Sequence, residues 1–116
     1  MVRQWDMWQA DLDPTVGHEQ AGTRPALIVS SDAINEGRRL VIVVPMTSRK
    51  PGRRLYSAEA LVPAGVAGLR AESVALVHQL RAVDPARLNR MLGHLDDEGI
   101  RAEVGEAIFD VLEGAI

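Results

Sequence analysis

The stretch DPTVGHEQAGTRPALIV, Asp13 to Val29, places a histidine, a glutamate and an arginine in one loop that runs into an apolar segment. The carboxylate of Glu19 is ionised at neutral pH and can accept a proton. The guanidinium of Arg24 keeps its charge and can bind phosphate through two parallel hydrogen bonds. A base and an anion-binding group in one loop suit phosphoryl transfer, although the same spacing also fits a salt bridge within the loop.

Three histidines lie far apart in the sequence. His18, beside Glu19, could serve as an acid, a base or a phosphate contact. His78 lies inside an apolar run, which is typical of a histidine in a core or at the rim of a barrel, and His94 is interpreted as structural. Their spacing does not match a metal-binding motif, and the absence of cysteine excludes thiolate ligands, so we predict neither a metal site nor a cofactor.

Hydroxyl and basic side chains follow the apolar run LVIVVPM at positions 40–46. Thr47 and Ser48 come at its end, where hydroxyl groups can bind a phosphate but also cap turns routinely. Four basic residues come within the next six positions, namely Arg49, Lys50, Arg53 and Arg54.

The net charge of −3 conceals an asymmetry along the chain. Residues 1–95 carry 12 basic and 9 acidic side chains, whereas residues 96–116 carry 1 basic and 7 acidic ones. Positions 38–54 hold six basic residues and no acidic one. This stretch suits an anionic partner, and a solvated basic loop is equally consistent with the charge alone.

Short apolar runs rich in β-branched residues predict the strands that must position these side chains. The first run alternates, with Trp8, Ala10 and Leu12 on one face, and two later runs are continuously apolar, as in strands buried on both faces. The predicted strands are 5–12, 25–31, 40–46, 59–64 and 72–83, the last of them bent partway.

Capping residues and helical spacing predict three helical pieces. Asp32 is placed to cap a short turn over DAINEG, and Asp84 followed by Pro85 predicts a short helix over DPARLNRML, residues 84–92. Acidic residues at 96–98 favour the start of a C-terminal helix. The apolar face of that helix recurs at helical spacing, at Ile100, Val104, Ala107, Ile108, Val111 and Leu112.

A length of 116 residues predicts one domain, residues 1–116, with a single core. Short strands with a few helices favour a mainly β small barrel with helices on its flank. The N-terminus lacks the apolar region of a signal peptide, and no apolar run approaches the roughly 20 residues that span a bilayer. We therefore expect a cytoplasmic protein without a membrane partner.

The chain resembles the MazF/PemK toxin family over nearly its whole length. The segment MWQADLDPTVGHEQAGTRPALIVSSD contains the family's DP-x-x-G-x-E-Q-x-G-x-RP pattern. VVPMTS resembles its second segment, GLRAESVALVHQLRAVD its third, and RLNRMLGHLDDE with the final helix its C-terminal part. The first segment is long enough to be specific, and the others follow in family order and spacing.

The resemblance implies the SH3-like small barrel of MazF, PemK and CcdB proteins, with an amphipathic C-terminal helix, assembled as a homodimer. It implies a sequence-specific, metal-independent endoribonuclease toxin of a type II toxin–antitoxin system. In this family the 2′-hydroxyl of single-stranded RNA attacks the adjacent phosphate, leaving a 2′,3′-cyclic phosphate or 3′-phosphate and a 5′-hydroxyl. The implied partners are single-stranded RNA and an antitoxin whose disordered tail covers the RNA groove.

The resemblance also implies roles for individual residues. Arg24 matches the family's catalytic arginine, Thr47 its catalytic, phosphate-binding threonine, and Glu19 a loop glutamate implicated in activity. The residues expected along the bound RNA are Ser48, Arg49, Lys50, Arg53, Arg54 and Gln79.

Two positions depart from the family pattern. Trp5 precedes Asp6 where the family commonly has glycine, and His78 stands where many members have an acidic residue. The general base is therefore open among Glu19, His18 and His78.

Two other functions remain as alternatives. One is a gyrase-inhibiting toxin on the same fold, acting through its C-terminal helix, and the intact set of Glu19, Arg24 and Thr47 argues against it. The other is a catalytically inactive module that binds RNA or protein.

Overall fold

The computed structural model describes residues 1–115, whose strands form one seven-stranded antiparallel sheet in the order β4-β5-β3-β2-β1-β7, with β6 paired to β3. Ile116, the last residue of the predicted domain 1–116, lies outside the described residues. The strands are β1 Asp6–Asp11, β2 Thr23–Ile28, β3 Val41–Ser48, β4 Glu59–Val62, β5 Ser73–Leu76, β6 Arg81–Val83 and β7 Leu88–His94. The predicted mainly β architecture is confirmed.

The long strand β3 pairs with two different strands along its length. Its first half pairs with β6, through Val41 opposite Val83, and its second half with β5, through Met46 opposite Ala75. A 3-10 turn, Val77–Gln79, separates β5 from β6. The predicted bend within residues 72–83 is therefore confirmed, and it turns His78 and Gln79 out beside the end of β3.

Apolar clusters fill both faces of the central strands, as the continuous apolar runs predict. The main cluster lies under the C-terminal helix, and its largest fully buried members are Met7, Leu27, Met46 and Leu95. A second cluster comprises Ala10, Leu12, Ala26, Ile28, Val41, Val43 and Val83, against which Trp8 packs as expected. Together the clusters hold β2 and β3 rigidly in place.

Two α-helices flank the sheet, α1 Asp32–Gly37 and α2 Glu98–Val111. Ser31, not Asp32, caps α1, because its backbone is extended and its hydroxyl accepts from the Ile34 N–H at 3.3 Å. Asp32 instead accepts from the Gln4 N–H at 2.7 Å. Asp97 caps α2, and the predicted apolar face of this helix packs on the core except at Leu112, which is exposed. Over residues 1–115, neither helix has the length and apolar character needed to cross a membrane.

The predicted helix over residues 84–92 is wrong. Asp84 does cap a turn, accepting from the Ala86 N–H at 2.8 Å, but that turn is a 3-10 turn of only Pro85–Arg87. The following residues form β7, which pairs antiparallel with β1. Pairing with a long neighbouring strand outweighs the weak local preference for a helix.

The start of β1 is joined to β7 and α2 by a partly buried polar network. The carboxylate of Asp6 contacts His94 Nδ1 at 2.8 Å, and Arg101 Nη2 lies 3.2 Å from His94 Nε2. His94 is therefore structural, as predicted. Trp5, the residue before Asp6, has a φ of 72°, which is a left-handed conformation that favours glycine. The family resemblance leads to the expectation of a glycine at this position. The ring of Trp5 packs under Arg101.

Candidate active site

The end of β3 faces a hollow of about 340 Å³, here called the arginine hollow, which is lined by Arg24, Thr47 and Ser48 among others. Antiparallel pairing of β2 with β3 sets Ala26 opposite Pro45. Continuing that register by two residues brings Arg24 beside Thr47, because partners advance in opposite directions along antiparallel strands. The two residues predicted to contact the reacting phosphate are thus brought together.

Neutral groups orient the guanidinium of Arg24. Its Nε donates to the Ala21 carbonyl at 2.6 Å. The side-chain amide of Gln20 lies against it, and with its oxygen turned toward Arg24 accepts from three guanidinium nitrogens at 2.6–3.0 Å. The ion pairs formed within residues 1–115 do not include Arg24, and the alternative of a Glu19–Arg24 salt bridge is not realised. The charge of Arg24 is therefore held in place without being neutralised.

A second hollow of about 360 Å³, the central hollow, shares Thr47 and Ser48 with the first. His78, Gln79 and Lys50 line its other side. His78 is exposed on the 3-10 turn after β5 and so belongs to the rim of the barrel, not to its core. His78 and Thr47 therefore line the same hollow.

A third hollow of about 440 Å³, the loop hollow, lies beyond His78 and is lined by His18, Glu19 and Arg81. Glu19 is exposed, and its Oε1 accepts from the Val16 N–H at 2.5 Å, which closes a turn of the loop. His18 and Glu19 therefore share a hollow with His78 but do not line the one that holds Arg24 and Thr47.

The basic loop after β3 is partly neutralised by carboxylates. Arg49 lies 3.3 Å from Glu72, and Arg53 forms two hydrogen bonds, at 2.9 and 2.8 Å, with Glu59, whose side chain is only 4% exposed. Arg53, followed by a backbone hydrogen bond from Tyr56, lowers the pKa of Glu59 below its ordinary value. The same pairing raises the pKa of Arg53.

Lys50 and Arg54 are the remaining members of the predicted basic set. Both are exposed, and within residues 1–115 neither forms an ion pair. Lys50 lines the central hollow with Arg53, whereas Arg49 and Arg54 do not line it. Arg54 lies over the ring of Tyr56, 5.3 Å from its centroid. The free positive charge at the groove is thus smaller than the sequence alone indicates.

Two glutamines connect the site residues in a way that the sequence did not reveal. The Oε1 of Gln79 accepts from the backbone N–H of Gln20 at 2.6 Å. Gln20 in turn contacts Arg24. Gln79, which was expected to bind RNA, therefore helps to hold the loop that contains Gln20 next to Arg24. Only the position of Gln20 within the EQAG segment could have suggested its role. Among residues 1–115, His, Asp and Glu side chains form no group of three that could hold a metal ion.

Comparisons with known proteins identify the family to which the chain belongs. Residues 3–111 match the family described as PemK-like, MazF-like toxin of type II toxin–antitoxin system. Endoribonuclease MazF9 of Mycobacterium tuberculosis is 34% identical over 113 residues, covering 93% of each chain. The crystal structure of MazF from Deinococcus radiodurans is similar with a TM-score of 0.81 and 29% identity, over 97% of this chain and 96% of that one. The MazE–MazF crystal structure from the same organism gives a TM-score of 0.73 and 25% identity, over 96% and 94%.

Proposed function

Because the chain belongs to the PemK-like, MazF-like toxins of type II toxin–antitoxin systems, we propose that it is an endoribonuclease that cleaves single-stranded RNA at specific sequences. The observation that carries this proposal is the convergence of Arg24 and Thr47 in one hollow, with His78 lining the adjoining one. An anion-binding pair and a group able to take a proton are the parts that RNA transesterification requires.

The proposed reaction uses the substrate's own 2′-hydroxyl as the nucleophile. The 2′-oxygen forms a bond to the adjacent phosphorus, its proton passes to a base, and the bond from phosphorus to the 5′-oxygen breaks. That oxygen takes up a proton, so the products are a 2′,3′-cyclic phosphate and a 5′-hydroxyl. Arg24 and Thr47 would stabilise the charge that builds up on the phosphate oxygens, which is usually the largest contribution in such a site.

His78 is the general base that the geometry favours. Its hollow shares Thr47 with the arginine hollow, whereas Glu19 already accepts a hydrogen bond from its own loop and lines the hollow beyond. The pH–rate profile tests this assignment. His78→Gln should remove the rise in rate that accompanies loss of the imidazole proton, whereas His18→Gln should keep it. An unchanged profile in His78→Gln would transfer the role to Glu19 or His18, and the His18→Gln profile would then decide between them.

Two partners complete the proposal. The family's description as a toxin of type II toxin–antitoxin systems supports a cognate antitoxin, and the Deinococcus protein has been crystallised as a MazE–MazF pair. A second copy of the chain is proposed from the family resemblance. The cytoplasm is the proposed location, since RNA would be the substrate.

Incubation of the purified chain with a long RNA of mixed sequence in EDTA tests the activity. We expect discrete fragments that carry 5′-hydroxyl ends, and their formation should be about 10²- to 10³-fold slower with Arg24→Ala. A 2′-deoxy substitution just 5′ of the cleaved bond should prevent cleavage there, because it removes the nucleophile. Cleavage of that deoxy-substituted bond would overturn the mechanism. If the RNA stayed intact, the remaining interpretations would be a binding module or, if the chain inhibits gyrase, a gyrase-directed toxin.

A further inference from the structure

A fourth hollow, of about 470 Å³, adjoins the arginine hollow and shares Pro25, Ser48 and Ser73 with it. Arg70 and Arg90 line it, and its lining contains no acidic residue. It shares Ser48 with the central hollow, but Lys50 and His78 do not line it. Of the residues that the sequence analysis expects along the bound RNA, only Ser48 lines this fourth hollow.

The pairing of strands explains how Arg90 comes to this hollow. Gln9 of β1 lies opposite Pro25 of β2 on one side and opposite Arg90 of β7 on the other. Residues directly opposite one another across a sheet point to the same face. A row of side chains therefore runs from Arg90 through Gln9 to Pro25, at the edge of the hollow that holds Arg24.

A contact between two glycines explains how Arg70 comes to the same place. The 3-10 turn Val66–Gly68, just before Arg70, packs against β7. A Cβ on Gly93 would lie 2.5 Å from the carbonyl carbon of Ala67, and a Cβ on Gly68, which has a φ of 76°, would lie closer still to the Leu92 carbonyl oxygen. Only glycines permit this approach, which sets the loop that carries Arg70 against the strand that carries Arg90.

The positive charge of this hollow is uncompensated. Arg70 and Arg90 are both exposed, and neither takes part in the ion pairs formed within residues 1–115. Arg49 and Arg53 of the basic loop, by contrast, already contact carboxylates. Guanidinium groups suit phosphodiester oxygens because their parallel N–H donors match that geometry, and Ser48 and Gln9 add neutral donors beside them.

We propose that the hollow of Arg70 and Arg90 is a second phosphate site, which binds the RNA backbone beyond the cleaved bond. The proposal rests on the proposed endoribonuclease function, since the same strand would occupy both sites. A strand whose reacting phosphate lies at Arg24 and Thr47 leaves the arginine hollow past Ser48 in one direction and reaches Arg70 and Arg90 there.

The test compares Arg70→Ala/Arg90→Ala with Arg38→Ala/Arg39→Ala. The control removes the same charge from exposed positions before β3, whose first residue lies about 20 Å along the strand from Thr47. Binding is measured to RNA made uncleavable by a deoxy substitution, over a range of salt concentrations. One RNA contains only the cleaved bond and its immediate neighbours, and the other is lengthened on both sides.

We expect the Arg70/Arg90 double variant to bind the long RNA roughly tenfold more weakly, as expected for lost charge-assisted hydrogen bonds. The slope of log affinity against log salt should become shallower by about 0.7 for each lost phosphate contact. The double variant should bind the short RNA as tightly as the unmodified chain does. The control variant should bind both RNAs with unchanged affinity. Arg70→Lys/Arg90→Lys should restore most of the salt dependence.

Equal losses on both RNAs, or no loss on either, would overturn the second site. Conversion to a smaller oligomer, seen by light scattering, would also overturn it, because the hollow would then be a contact between subunits. Weaker antitoxin binding with unchanged RNA binding would assign it to the antitoxin instead. Cleavage of RNA by the unmodified chain tests the proposed function independently of the second site. If that chain cleaves RNA and the double variant binds both RNAs with unchanged affinity, only the proposal of the second site fails.

Discussion

At the scale of single residues, Arg24 is held by groups that leave its charge available. The Ala21 carbonyl and the Gln20 amide fix the guanidinium, and neither carries a charge. A carboxylate in their place would compete with the phosphate that the arginine is proposed to bind. Preorganised charge of this kind acts at the transition state without a cost of reorganisation.

Arg24→Ala should lower kcat on RNA by about 10²- to 10³-fold, the usual cost of removing one well-placed transition-state contact. Arg24→Lys should recover little, because an ammonium cannot form two parallel hydrogen bonds to the phosphate. Single-turnover cleavage measures the effect, with Arg39→Ala as the control for charge. Full activity in Arg24→Ala would remove this arginine from the mechanism.

The sequence suggested candidate site residues more readily than it suggested the contacts between them. Arg24 and Thr47 lie at ends of apolar runs, and strand ends meet at the edge of a sheet, so their meeting follows from the pattern. The contact between Gln79 and Gln20 joins residues 59 positions apart. Such a contact depends on how the bend after β5 meets the loop after β1, which local sequence does not encode.

At the scale of elements, the buried strands were predictable and the edge strand was not. β2 from Pro25 onward and β3 as far as Met46 are continuously apolar because both of their faces are covered. In β7, Leu88, Met91 and Leu92 recur at helical spacing, while Met91 is 47% exposed. Its strand conformation comes from pairing with β1, a tertiary contact that no local pattern carries.

Gly93→Ala tests the close approach of β7 to the 3-10 turn before Arg70. The added Cβ would overlap the Ala67 backbone, which cannot move aside as a flexible side chain would. We expect a loss of about 1–3 kcal/mol or more in the free energy of unfolding, measured by urea denaturation. Gly105→Ala in α2 is the matched control, since open space surrounds that position. It should stabilise the chain by up to about 1 kcal/mol.

The ion pair of Arg53 with Glu59 should make the basic loop sensitive to acid. Since the pKa of Glu59 is lowered from its ordinary 4.5, the pair stabilises the fold above that pH and loses this effect as the pH falls through the lowered value. Glu59→Gln should therefore unfold at lower urea than the unmodified chain at neutral pH, and the difference should shrink in acid. Glu72→Gln, at an exposed pair, should show little difference at any pH. A gap for Glu59→Gln that persists in acid would contradict the ionic origin.

At the scale of the whole molecule, a second copy of the chain is expected to cover exposed apolar side chains. Phe109 is 55% exposed, Leu40 48% and Leu112 40%. Together with the family resemblance, this exposure favours a homodimer. Light scattering at micromolar concentration should give twice the chain mass of 12.6 kDa. A mass of one chain under those conditions would count against the assembly.

The division of charge along the chain indicates where an antitoxin would bind. Acidic side chains are densest in the last 21 residues, 96–116, and the basic side chains lie mostly before them. The groove therefore presents a net positive potential to a partner, whereas α2 does not. An acidic, partly disordered antitoxin tail would therefore lie in the groove and exclude RNA.

Charge reversal at the two unpaired loop residues, Lys50→Glu/Arg54→Glu, should weaken antitoxin binding by at least tenfold at low salt, and less at high salt because exposed charges are screened. Arg38→Glu/Arg39→Glu reverses as much charge away from the groove and should have a smaller effect. Calorimetric titration measures both, and competition with uncleavable RNA shows whether the sites overlap. If the loop variant binds antitoxin as tightly as the unmodified chain, or if RNA and antitoxin bind together without competition, the antitoxin does not act by covering this groove.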